Sequence, residues 1–587
     1  MPTAGTISLS HLRSRRAAGH TTSLDGTWRA IPDPYDVGGF SILGPAKDGW
    51  FRDRKPSHPA ERIEYDFDTS LELEVPGDWN TQIPELHYYE SSLWYRRRFT
   101  TETGEFGRAF VHFGAVNHSC TVFLDGEELA AHEGGYGPFA VEVTGRVAPG
   151  DHSLVVLVDC IRKPERVPAM RTDWFNFGGL HRSVDLVRTP HEFITSAWIT
   201  MTADGSLTGE INVDGPARDH QDGGVTTASI EIAELGLDLV VGVNGRFTIA
   251  AADVPALERW HPGRPRLYEV VFTAGQDRVV EQVGFRTVET SGSNIVVNGE
   301  IVFLKGISMH AEGPSGGRRA AGSADAAALF DWAEDLGANF VRLAHYQHDE
   351  AMVLEADRRG LLAWVELPVY WGIDWTNDDT LTNTLQQTDE LVMRDRCRAS
   401  VVLWSVANET FPGVERTAFI SRLIERVRTL DSTRLVTCAL FTLPGQGLET
   451  HIEDPLGELI DVIGVNQYYG WYYGERSEIA SKRWTSVWGK PIIFSELGAG
   501  AKFGNHGDAG EIWTEEFQAA VYEAQIEMIA SNEDCAGLSP WILKDFRTPM
   551  RVLPGIQDGY NRKGLVSEEG EAKLAFDVLQ RWYASLD

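Results

Sequence analysis

Two glutamates in this chain stand where chemistry is to be expected. Glu409 closes the run "LWSVANE" and Glu496 closes "PIIFSE", each a carboxyl placed directly after an apolar, strand-like stretch. Two carboxyls held about 5–5.5 Å apart can open a sugar acetal by double displacement. One attacks as a nucleophile and must be ionised; the other delivers a proton, which requires a pKa raised by its surroundings. Aromatic and amide residues cluster at comparable positions. His345 lies in "VRLAHYQ", Glu366 in "WVEL", Asn408 beside Glu409, and Asn466, Tyr468 and Tyr472 in "NQYYGWYYG", with Trp541 in "PWILKDF". Such rings suit a pyranose, whose apolar face stacks on indole while its hydroxyls take hydrogen bonds.

Near the C-terminus, "IQDGYNRKGLVS" puts Asn561, Arg562 and Lys563 in a glycine-flanked polar stretch with turn composition. Two adjacent cations are unexpected in a protein of formal net charge −32. That charge sets nucleic acid and anionic membranes aside as main partners, because the long-range field repels both.

These residues need a framework, and the alternation of runs supplies one. After residue 300, strand-like segments ("IVFLKGIS", "NFVRLA", "LLAWVEL", "SVVLWSV", "RLVTCAL", "DVIGVN", "PIIFSE", "AGLSPWIL") alternate with amphipathic helical stretches. Eight such alternations predict a (β/α)8 barrel over 289–587, with a doubly wound sheet as the other reading. In a barrel the functional residues sit at the C-terminal ends of the strands, and each residue singled out above ends or follows one. The first third is built of short β-branched and aromatic runs broken at turns such as Asp125-Gly126, which predicts a jelly-roll sandwich over 1–190. Residues 191–288 remain strand-like and suit an immunoglobulin-like β-sandwich.

The 587 residues are too many for one core and predict several domains. The five cysteines are scattered and odd in number, which predicts reduced thiols and neither a disulfide framework nor a zinc site. No HExxH motif or His/Asp ligand cluster is evident, so no metal or other cofactor is expected. The N-terminus shows basic residues without a following apolar segment, and no run of about 18 apolar residues occurs. A cytoplasmic location is the expectation.

Taken together the motifs resemble glycoside hydrolase family 2, and within it the glucuronidase branch. "LDGTW" (24–28), "VPGDWN" (75–80), "LWYRRRF" (93–99), "DWFNFGGLHRSVDL" (173–186), "FLKGISMH" (303–310) and "VRLAHY" (341–346) carry the likeness over essentially the whole chain. The resemblance implies that Glu409 is the acid/base, Glu496 the nucleophile, and Asn408 the holder of the sugar 2-hydroxyl. It implies that a tyrosine of "NQYYGWYYG", Tyr468 or Tyr472, poises the nucleophile, and that Asp173 reaches from the jelly roll into the sugar pocket. Arg342 and Glu366 are similar to supporting residues, and His310 to one in the first barrel motif. Asn561 and Lys563 match an Asn-x-Lys motif that grips the C6 carboxylate of a uronide. The expected activity is exo-acting, retaining release of terminal β-D-glucuronic acid by a homo-oligomer. A β-galacturonidase or β-galactosidase on the same scaffold, or a non-catalytic carbohydrate-binding protein, stays open. One departure is visible: the arginine that precedes the Asn-x-Lys motif in well-known glucuronidases is replaced by Gln557, with Lys544, Arg547 and Arg551 further back. The segment between the third and fourth barrel strands is also too short for a long lid loop, which predicts an open mouth that admits bulky aglycones.

Overall fold

The computed structural model describes residues 5–41, 44–45, 49–102, 107–215, 227–442 and 447–586. The first four residues of the expected jelly roll and the last residue of the expected barrel therefore lie outside the described residues.

Two antiparallel sheets form the N-terminal unit. One has five strands, in the order Thr6–Ile7, Phe139–Glu142, Arg108–Phe113, Val184–Thr189 and Thr21–Ser23. The other has six: Glu127–Glu133, Ser119–Leu124, Gly150–Asp159, Ser92–Thr101, Gly26–Asp33 and Leu71–Val75. Strand neighbours are mostly distant in sequence, as in a jelly roll. Their inner faces share a core containing Trp28, Leu73, Tyr95, Val111, Phe113, Val156 and Leu186. The middle unit is a smaller sandwich of a three-stranded sheet (Phe193–Met201, Leu207–Asp214, Arg246–Ile249) and a four-stranded one (Leu237–Gly242, Thr227–Ile232, Tyr268–Ala274, Asp277–Val283). Leu207–Asp214 alternates buried and half-buried residues along its length, the period-2 pattern of a strand packed on one face. A short meander, Val288–Ser291, Asn294–Val297 and Glu300–Ile301, leads onward.

Eight parallel strands then close into a barrel: β1 (Leu304–Met309), β2 (Phe340–Leu343), β3 (Leu362–Glu366), β4 (Val401–Asn408), β5 (Leu435–Leu440), β6 (Val462–Asn466), β7 (Ile492–Glu496) and β8 (Cys535–Leu538). Each coincides with one of the eight runs read from the sequence. Parallel strands covered on both faces must be apolar throughout, and β2 to β7 are buried at every position. The helices between them start and stop on local chemistry. Asp349 caps Glu350–Arg359 by accepting from the Ala351 amide, and Gly360 ends it in the left-handed region at φ 77°. Asn377 caps Asp378–Asp395 in the same manner as Asp349.

One boundary differs from the sequence reading. Trp541 does not end β8, which stops at Leu538; it lies three residues beyond, in the loop over the barrel mouth. The strand ends early because Ser539 and Trp541 send their amides to Phe494 and Leu497 of the neighbouring segment while the chain turns across the top.

The units are joined by buried charge as well as apolar contact. Arg15, on the short helix Leu12–Ala17, reaches the middle sandwich and pairs with Asp277 through two hydrogen bonds of 3.1 and 2.9 Å, both side chains fully buried. Removing one partner leaves the other charge buried and alone. Arg15→Ala is expected to lower unfolding free energy by about 3–5 kcal/mol, read from the denaturant midpoint of a far-UV CD titration; an unchanged midpoint would show that this pair does not hold the junction.

Candidate active site

At the centre of the barrel mouth lies Arg342, on β2, with no exposed surface. Its guanidinium donates to both oxygens of Glu366 (3.0 Å each), to Glu496 Oε1 (3.0 Å), to Asn408 Oδ1 (2.8 Å) and to the Ser495 carbonyl (3.0 Å). One cation thus orients the ends of β3, β4 and β7 at once. Glu366 also accepts from Trp364 Nε1, Ser405 Oγ and His345 Nδ1. Burial works to raise its pKa, but Arg342 and these donors overcome it and hold Glu366 down at about 2. Glu366 is therefore a fixed anion, there to hold Arg342 and His345. Burial pushes His345 down to about 4, so its imidazole is neutral, with Nδ1 on Glu366 and Nε2 turned toward Glu496 at 3.7 Å. Trp541 stacks on this ring at 4.7 Å.

Glu496 is buried and receives two donors, Arg342 and the Tyr468 hydroxyl (2.7 Å). Burial nevertheless pushes its carboxyl up to about 8, opposed by Arg342 and Tyr468 and aided by the charge of Glu409. Glu409 follows β4 directly, at φ 49° in the left-handed region, where a non-glycine residue is strained. Its amide donates to Ala439 of β5, and its carboxylate takes the Trp371 indole N–H at 2.9 Å. Tyr370, next to Trp371, lies at the same mouth, its ring 4.9 Å from His345 and 4.9 Å from Trp174.

Asn408 accepts at Oδ1 from Arg342 and from Asn466 Nδ2, which leaves its own buried Nδ2 without a partner. A buried amide donor left open beside two carboxyls is a place for a ligand oxygen. Asn466 is locked in turn by Ser495 Oγ.

The second cluster lies across the mouth, beyond β8. The strands Phe546–Arg547 and Tyr560–Asn561 pair antiparallel, Phe546 opposite Asn561 and Arg547 opposite Tyr560. Neighbouring side chains point to opposite faces, so Asn561 turns inward and Tyr560 away. Asn561 Nδ2 donates to Asp173 Oδ2 (3.2 Å), and its Oδ1 accepts from the Lys563 amide. Asp173, carried in from the jelly roll, also accepts from Thr548 (2.9 Å) and Arg551 (2.6 Å). Lys563 is buried, with 3% of its surface exposed. Its ammonium donates to the Tyr472 hydroxyl (2.6 Å) and faces the rings of Tyr468, Trp471 and Tyr472. Among the described residues it has no carboxylate partner. Lys563, Arg551, Asn561, Gln557, Trp471, Tyr472 and Trp513 line a cavity of about 210 Å³.

All eleven residues singled out from the sequence thus fall around one mouth, in two linked groups. Two details differ from the roles expected. Only Tyr468 touches the nucleophile candidate; Tyr472, half exposed, belongs to the Lys563 group instead. Arg551 borders the same cavity as Gln557 and reaches the Tyr472 hydroxyl at 3.2 Å, and among the described residues its buried Nε has no partner. Lys544 and Arg547 do not join the cavity. Arg562 of the same tripeptide also borders the cavity, but its guanidinium is engaged in ion pairs with Asp545 and Glu568. Tyr370 and Trp371 were missed from the sequence, because attention to strand ends passes over "LPVYW", the loop that follows β3. No cluster of metal-ligating side chains is found among the described residues.

Models of glycosyl hydrolases family 2 match this chain at residues 288–586, the TIM barrel domain, and at 50–190, the sugar-binding domain. The chain belongs to glycosyl hydrolase family 2. It is 28% identical to a β-glucuronidase of Paenibacillus borealis, the alignment covering 95% of this chain and 96% of that one. Among solved structures it is similar to a β-glucuronidase of an uncultured Clostridium (TM-score 0.81, 24% identity, 96% and 98% coverage). It is also similar to the β-glucuronidase of Ruminococcus gnavus in complex with D-glucuronic acid (TM-score 0.80, 23% identity, 96% and 97% coverage). Both structural likenesses speak for a shared fold.

The Tyr468 hydroxyl lowers the pKa of Glu496. Turnover that needs ionised Glu496 therefore falls as pH drops through its pKa, and removing the donor raises that pKa. Tyr468→Phe is expected to move the acid limb of the kcat/KM profile to higher pH; an unmoved limb would detach Glu496 from it.

Proposed function

We propose that this family 2 chain is a retaining, exo-acting β-glucuronidase. Glu496 attacks C1 of a terminal β-D-glucuronide while Glu409 protonates the departing oxygen; water activated by Glu409 then releases glucuronate with retained configuration. The observation that carries the uronide specificity is Lys563: a buried ammonium without a carboxylate partner among the described residues, walled by aromatic rings. Buried charges are paired in folded proteins, so the partner is expected to arrive with the ligand. A C6 carboxylate supplies it, with Arg551 Nε as a further donor, whereas a neutral hexoside would leave the ammonium desolvated and unmet. The open Nδ2 of Asn408 supports its role toward the 2-hydroxyl. Asp173, held on both oxygens by Thr548, Arg551 and Asn561, supports a polar contact at the C4 end of the ring. Relatives from Paenibacillus borealis and Rattus norvegicus that align with most of this chain are β-glucuronidases, which favours the glucuronide over the galactoside.

Five cysteines without a disulfide support a reducing, cytoplasmic setting. No helix among the described residues is long and apolar enough to cross a membrane.

On 4-nitrophenyl β-D-glucuronide, Glu496→Gln and Glu409→Gln are each expected to lower kcat by about 10²-fold or more; wild-type turnover in either would reject its assignment. Lys563→Ala is expected to cost about 2 kcal/mol of transition-state binding on the glucuronide, roughly 30-fold in kcat/KM, with little change on the corresponding galactoside. A parallel assay with galacturonide settles the C4 preference, and an unchanged ratio of uronide to hexoside turnover would remove the carboxylate role.

A further inference from the structure

Arg562 and Lys563 are adjacent cations, and the reading above gives a task to Lys563 alone. Arg562 is as deeply buried, with 3% of its surface exposed. Its Nη1 donates to Asp545 Oδ2 at 3.2 Å and to Glu568, and its Nε to the Ile556 carbonyl at 2.9 Å. Burying a guanidinium is unfavourable unless it is paired, and the partners here also hold the backbone.

Asp545 lies in the loop that follows β8 and has no exposed surface. Its Oδ1 accepts from the Gly564 amide at 2.8 Å, and both of its oxygens accept from Lys573 Nζ, at 2.8 and 2.9 Å. Lys573 stands immediately before the C-terminal helix, Leu574–Ser585. Its remaining N–H groups go to the carbonyls of Ala501 (2.7 Å) and Arg562 (3.3 Å), which uses all the donors that an ammonium has. The Arg562 carbonyl also takes the Ala501 amide at 2.9 Å, and the Lys563 carbonyl takes the Ile542 amide at 3.2 Å. The backbone is thus held at the carbonyls of Arg562 and Lys563 and at the amide of Gly564. Gly564 fits because it has no side chain: a methyl group there would overlap the Asp545 amide nitrogen and stand 2.5 Å from Asp545 Oδ1 and from the Val566 carbonyl oxygen.

We propose that Asp545, Lys573 and Arg562 form a buried seat for Lys563, which makes Arg562 a positioning residue for the acidic sugar. A lysine ammonium rides on a flexible four-carbon stem, so the backbone beneath it must be fixed if the charge is to meet a carboxylate in one place. This rests on the glucuronidase reading and deepens it. In the stretch "NRKG", Asn561 and Lys563 face the ligand, while Arg562 and Gly564 settle where they stand.

The test is a double-mutant cycle on 4-nitrophenyl β-D-glucuronide. Arg562→Met is expected to lower kcat/KM about tenfold in the wild-type background, mainly through KM. In the Lys563→Ala background the same change should cost less than about twofold, because no ammonium remains to be misplaced. Arg562→Lys, which keeps the charge, should recover part of the loss. Gly564→Ala leaves every charge in place and should behave as Arg562→Met does; it carries the cycle if Arg562→Met does not fold. A crystal structure of the folded variant should show the Lys563 ammonium displaced from the Tyr472 hydroxyl. Equal losses in both backgrounds, no loss in either, a fall in kcat with KM unmoved, or an ammonium still on Tyr472 would overturn the seat. If wild type turns over no glucuronide, the parent reading is what has failed, and the crystal structure still decides the seat.

Discussion

The catalytic mouth depends on one buried guanidinium. Arg342 faces three carboxylates that are arranged around the end of the barrel: Glu366 and Glu496 in direct contact, and Glu409 felt through Glu496. With His345 neutral, the local count is one fixed cation against three acids. Were all three ionised, two negative charges would remain uncompensated in a site largely shut off from water, an expensive state. Burial and the charge of Glu409 accordingly push the Glu496 carboxyl up, against Arg342 and Tyr468. Double displacement needs one proton on two carboxyls, held by the acid beside the leaving oxygen. Arg342 and Tyr468 both donate to Glu496 and favour the proton's transfer to Glu409.

The barrel alone does not complete this site. Asp173 and Trp174 come from the N-terminal sandwich. Trp174 packs against His345 at 5.6 Å and against Tyr370 at 4.9 Å, while Asp173 is clamped by three barrel side chains. The clamp works in both directions: it fixes Asp173, and it turns Arg551 and Asn561 toward Lys563. The N-terminal sandwich is thus one wall of the pocket.

How much of this could be read in the sequence follows from how local each cause is. The barrel was legible because strands buried on both faces must be apolar, and eight such runs recur between helices. Glu409 and Glu496 were legible because a carboxyl directly after a buried run ends up at the mouth. Arg551 was not: five cations lie within the 20 residues 544–563, and only the pairing of Phe546–Arg547 with Tyr560–Asn561 decides which face each one serves. Arg562 and Lys563 show the same limit. They are adjacent and alike in charge, yet Arg562 is neutralised by Asp545 and Glu568 while Lys563, among the described residues, meets a phenol and aromatic rings. Composition cannot separate them, because the difference lies in what the fold brings alongside.

The net charge of −32 and a cationic ligand pocket are compatible because the two act at different ranges. Charges on the outer surface are screened over about 8 Å at physiological ionic strength. Lys563 and Arg551 act within hydrogen-bond distance. A ligand with a single carboxylate therefore feels a weak repulsion on approach and a strong attraction on arrival. A polyanion would carry the repulsion along its whole length and could place only one charge against Lys563. The same arithmetic places selectivity for the acidic sugar at Lys563 and Arg551, where the contact is direct.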